Sequence, residues 1–143
     1  MAIQITPDQV PQFWEAIKYA SVSADYVEEP YREKYLTKLL YRLLSGKAQC
    51  FVRIGKDRKL EAIAITEIKI DEIRDENSLF IGLAYSFKKV EKEFWIQDIE
   101  SLRQFAKREN CKIITAWASN EVSEGLAEKI GLKNRLKSYV MEV

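Results

Sequence analysis

Between Ser78 and Phe87 the chain passes through ten residues that are almost wholly apolar, with a charged stretch, Asp71 to Asn77, before them and a polar one, Lys88 to Glu93, after them. The run is far shorter than the ~18 residues a membrane helix needs. It also lacks the polar alternation of a strand with one wet face. It predicts a central strand buried on both faces, which needs a neighbour on each edge and cover above and below. The fold class follows as α/β (α+β): a sheet built around this strand, with helices on both faces.

The flanking segments supply those parts. Ile3-Gln4-Ile5 alternates as a short strand. Thr6-Pro7-Asp8-Gln9 opens a helix: Thr6 caps, Pro7 suits the first helical position, and Gln9 completes a capping box. Val10, Phe13, Trp14 and Ile17 then recur at helical spacing until about Ser21 to Ser23. A second helix begins at Pro30, buries Leu36, Leu39, Leu40, Leu43 and Leu44, and stops before Gly46. Ala48 to Ile54 and Leu60 to Ile70 are strands joined by the polar hairpin Gly55 to Lys59. In the longer one, Ala62, Ala64 and Thr66 share one face and Ile63 and Ile65 the other. A third helix carries Trp95, Ile99, Leu102, Phe105 and Ala106. Cys111 to Ala118 reads as a strand, Glu121 to Lys129 as a short helix closed by Gly131, and Leu136 to Val143 as a last, alternating strand. Trp14, Trp95 and Trp117 all fall on apolar faces and are expected in the core.

The predicted order is β-α-α-β-β-β-α-β-α-β. Hairpins come first, and a strand-helix-strand crossover, right-handed and parallel in nearly all proteins, follows. The sheet is therefore mixed and mostly antiparallel. No linker or repeat interrupts it, so residues 1–143 are expected to form a single domain.

Composition removes several function classes. The chain has no histidine, so it lacks the commonest general base and the commonest metal ligand. Serine or cysteine hydrolysis with a histidine partner is excluded, and no metal site is expected. Cys50 and Cys111 lie in or beside apolar strand-like runs and read as buried thiols of a reducing, cytoplasmic setting. The net charge is +1, with no global pull towards nucleic acid or a membrane surface. Met1 to Asp8 shows no secretory pattern. Charge is nonetheless uneven: residues 31–59 carry nine Lys or Arg against two acids, and residues 67–76 five acids against two bases. Tyr19, Tyr26, Tyr31, Tyr35 and Tyr41 cluster around the first two helices.

The element order resembles that of the GNAT (GCN5-related) N-acetyltransferases. The opening Ile3-Gln4-Ile5-Thr6-Pro7-Asp8 is similar to the first strand and helix start of many members. Asn120, then Leu126-Ala127-Glu128-Lys129-Ile130-Gly131-Leu132, resembles the family's Asn followed by Leu-Tyr-Glu-Lys-x-Gly-Phe. Leu102, Ala106, Asn110 and Cys111-Lys112-Ile113 resemble the helix-to-strand join. The resemblance implies acetyl-CoA as the acyl donor and a small-molecule or protein amine as acceptor. It implies that β-strand backbone near Leu83 and Tyr85, with Asn120, holds the cofactor. Glu67 is the place to seek a base, and Tyr139 an acid in place of the tyrosine that Ala127 replaces.

The family's pyrophosphate loop, R/Q-x-x-G-x-G/A, is altered. Val90 stands at the first position, and Glu93 and Trp95 at the glycines. Glycines there let backbone N–H groups approach phosphate. Only Lys88, Lys89 and Lys92 offer compensating charge. A second reading is therefore a non-catalytic binding or assembly module that has lost its cofactor, of the kind a phage or mobile element encodes, and expected to form a homo-oligomer. A third is a ligand or nucleic-acid binder using the basic 31–59 surface, with salt-dependent association.

Overall fold

A computed structural model describes residues 1–24, 27–118 and 121–143, without the side chains of 121–123. The elements are β1 (Ile3–Ile5), α1 (Val10–Ser23), α2 (Arg32–Leu44), β2 (Ala48–Ile54), β3 (Leu60–Asp71), β4 (Glu76–Ser86), α3 (Lys92–Arg108), β5 (Ile113–Ala116) and α4 (Glu121–Lys129). A single 3-10 turn containing a proline precedes both α1 and α2. At the first of them the Thr6 N–H donates to Gln9 Oε1 at 2.8 Å, which is half of the expected capping box. Gly46 takes φ +78° just past α2, the left-handed position that glycine fills without penalty.

The strands lie side by side in sequence order, β1-β2-β3-β4-β5. The first three pairings are antiparallel and β4–β5 is parallel across the α3 crossover. The mixed, mostly antiparallel sheet is the one the hydrophobic pattern predicts.

Strand alternation divides the core in two. Cys50, Val52, Ile63, Ile65 and Leu83 face α1 and α2, whose Val10, Ile17, Ala20, Leu39 and Leu43 close over them. Phe51 and Leu79 face the other way, against Leu102, Phe105, Ala106 and Cys111 of α3 and its end. Both thiols are buried. Arg53, on that second face, is also buried, at 5% exposure. Its guanidinium grips Asp98 of α3 through Nε and Nη2 at 2.7–3.1 Å, and Nη2 also donates to the Phe94 carbonyl at 3.0 Å. Its charge lies 4.7 Å from the Phe94 ring centroid. This is the ionic clamp between α3 and the sheet.

Two expectations are corrected. Leu136 to Val143 forms no strand, and Tyr139, Val140 and Met141 are 87%, 88% and 87% exposed. The reason is visible in the alternation. Ser138 and Glu142 interrupt one side, and the other has only Tyr139, Met141 and Val143 beyond Lys137, so the segment offers little apolar face to bury. What holds its root is Arg135, whose Nη2 donates to Asp71 Oδ2 at 2.7 Å. Trp117 is not core either: it is 73% exposed, one residue past the last paired residue of β5. Trp14 and Trp95 are half-buried.

Candidate functional site

The site is a gap in the sheet. β4 pairs with β5 only from Ser78 to Ile81, opposite Ile113 to Ala116. β4 then runs on to Ser86 while β5 has ended. Past Ile81 the outer edge of β4 thus has no strand partner among the described residues, and this open length beside the end of the edge strand β5 is the notch. Its β4 wall is unusual. Ile65 pairs with Leu83 and Thr66 with Ile81, so Gly82 is an extra residue in β4. Such a bulge breaks the alternation. Leu79 and Ile81 belong to the α3 face, whereas Leu83 and Tyr85 belong to the α1–α2 face. Without the bulge Leu83 would point into the opposite core.

The bulge also fixes which backbone groups are free. The Phe87 N–H donates to the Glu61 carbonyl at 2.8 Å. Antiparallel pairs alternate between bonded and non-bonded. Tyr85 opposite Ile63 and Leu83 opposite Ile65 therefore turn their amides to β3. Ala84 and Ser86 turn theirs to the notch. Ala84 is exposed although it lies on a central strand. On the α3 side, Ala62, Ile81, Ala84, Trp95 and Ile130 line a pocket of ≈ 50 Å³ beside this edge.

The other anticipated residues fall as follows. Leu83 is 5% exposed in the α1–α2 core. Tyr85 packs edge-on to Phe87, with centroids 5.1 Å apart. Glu67 stands opposite Phe80, one residue short of the last β4–β5 pair. Its carboxylate accepts from Arg42 Nη1 at 2.9 Å and lies 3.6 Å from Lys69 Nζ. Tyr139 lies in the exposed segment after α4, in no strand or helix. Asn120 lies outside the described residues.

The start of α3 shows the altered loop in place. Glu91 is the N-cap residue, with no side-chain cap bond, and Glu93 lies in the first turn. Lys88 is held by Glu61, and that hydrogen bond, ahead of charge attraction, raises its pKa. Cys50 is no nucleophile: burial pushes its thiol up to about 12. Among the described residues no cluster could hold a metal ion, and no helix is long and apolar enough to cross a membrane. Sequence reasoning missed the Gly82 bulge and the free edge at Ala84 and Ser86. A glycine inside an otherwise apolar strand was the available signal.

No protein-family model and no curated protein matches the sequence. Solved structures do match its fold along the full chain. An aminoglycoside N-acetyltransferase, AAC(6')-Iy, whose structure is a complex with CoA, superposes with a TM-score of 0.75 at 12% identity, covering 100% of this chain and 93% of its own. AAC(6')-Ih from Acinetobacter baumannii gives 0.71 at 9%, covering 100% and 98%. A ribosomal-protein-alanine N-acetyltransferase from Brucella melitensis biovar Abortus 2308 gives 0.70 at 14%, covering 100% and 99%. At such identities the likeness speaks for architecture, and the architecture of this chain is that of the GNAT N-acetyltransferases.

Proposed function

We propose that the chain is an acyl-CoA-dependent N-acyltransferase in which the β4–β5 notch holds the thioester. The carrying observation is the notch itself: β4 runs on past the end of β5, and its bulge turns the Ala84 and Ser86 amides to an edge with no strand partner among the described residues. An amide-bearing arm can add to such an edge as an extra strand would. Lys89 and Lys92, with the free N–H groups of the first turn of α3, would meet the phosphates. They do so without the glycine cradle, and Glu91 and Glu93 oppose them. Acyl-CoA supplies an activated acyl group. The amine nitrogen bonds to the acyl carbon, the carbon–sulfur bond breaks, and the thiolate takes up the equivalent of the proton the amine loses. Glu67 is our candidate for receiving that proton, directly or through water. An N–H on the free β4 edge is our candidate donor to the developing oxyanion.

The acids at the start of α3 favour a second reading, the non-catalytic module. Calorimetry with acetyl-CoA separates the two. The transferase reading expects saturable binding with a Kd below about 100 μM, or about 5.5 kcal/mol. Silence at millimolar acetyl-CoA would sink it and leave the module.

A further inference from the structure

The notch opens on both faces of the sheet, and the two openings differ in chemistry. The α3 side carries the helix start, with Lys92 as its first residue. On the α1–α2 side aromatic rings stand at both ends of the open β4 segment. The far end has Tyr85 and Phe87, joined by Tyr19 of α1. Tyr19 is 59% exposed and lies nearly parallel to Phe87, at 21° and 6.0 Å. Its centroid is 6.2 Å from that of Tyr85. The β5 end has Trp117, 73% exposed, edge-on to Phe80 at 5.0 Å. Phe80 shares this side because its neighbours Leu79 and Ile81 belong to the opposite core.

Charge on this side narrows the choice. The two β3 carboxylates that flank the notch are Glu61 and Glu67, and both are already paired, with Lys88 and with Arg42 and Lys69. A polycationic acceptor would find no unpaired β3 carboxylate to replace its hydration. A flat apolar group would find ring faces and edges at both ends.

We propose that the acceptor is a primary amine carried on an aromatic group, entering from the α1–α2 face between Trp117 and the Tyr19–Tyr85–Phe87 cluster. This rests on the acyltransferase reading above.

The test uses the full chain at saturating acetyl-CoA and follows thiol release with tryptamine, 2-phenylethylamine, putrescine and kanamycin. The aromatic amines are expected to exceed putrescine and kanamycin in kcat/KM by roughly tenfold or more, the scale of one or two ring contacts and a cation–π contact. Trp117→Ala should shrink the tryptamine-to-putrescine ratio about fivefold through KM, and Trp117→Phe should restore most of it. Preference for the polycations overturns the inference. So does a Trp117→Ala variant that keeps the ratio, or a chain that binds acetyl-CoA yet turns over no aromatic amine. In those cases acetyl-CoA binding by calorimetry still supports the transferase reading. Absence of that binding ends both.

Discussion

β4 is held very differently by its two neighbours. Towards β3 it is paired along nearly its whole length, from Glu76 to Ser86, beneath two buried cores. Towards β5 it is paired over four residues. Beyond lie half-buried strand residues, an exposed Trp117 and an exposed C-terminal segment. The same strand is thus fully partnered on one edge and, among the described residues, largely unpartnered on the other. Burial of apolar area is the main stabilising term in folding. The β1–β4 region, with its helices, should therefore carry the stability, and the β5 side should carry the chemistry.

Three substitutions can break or sharpen this contrast. The largest effect is expected at Arg53. Arg53→Ala leaves Asp98 buried and unpaired, and such losses cost about 3–5 kcal/mol. Denaturant unfolding should show it as a lower midpoint at unchanged slope. A loss below about 1 kcal/mol would mean that the clamp adds little to the stable half. A smaller effect is expected at Asp71. The Arg135 hydrogen bond first, then the N–H groups of Arg74 and Ile73, hold its carboxyl below the usual range. A lowered pKa stabilises the fold above the unfolded value and ceases to do so as pH falls through the folded one. Wild type should thus melt higher than Asp71→Asn at pH 7, and the gap should close as pH drops below about 4. A gap independent of pH would show that the carboxylate's charge is not what holds Arg135. The smallest is expected for Val140→Ser, at most about 0.5 kcal/mol, because Val140 is 88% exposed. A loss several times larger would show the C-terminal segment to be buried in solution.

Most of the stable half was legible in the residues. The β2 bounds, Ala48 to Ile54, follow from apolar composition and the hairpin polar run after them. The apolar stretch after Asn77 marked the central strand. Leu39 and Leu43 marked the buried stripe of α2. These are signals of one-sided or two-sided burial, which recur at the period of their element. Arg53 was not legible. A charged residue in a strand ordinarily reads as a solvent-facing position, and only the folded chain brings Asp98 beneath it, 45 residues away. The site was less legible still. The bulge is a matter of register between two strands, which neither strand's pattern reveals by itself. The C-terminal segment misled for the converse reason. Its polar–apolar alternation is local, whereas pairing also requires a face worth covering.

Arg53 has one more consequence. It sits two strands away from the wall of the notch, yet it holds the carbonyl and ring of Phe94 in the first turn of α3. The helix start that would greet an anionic ligand is thus moored from the interior, by a residue that is 5% exposed. Loosening that mooring would let the first turn of α3 drift while β4 stayed in place, so the spacing between the two is a length set from the interior.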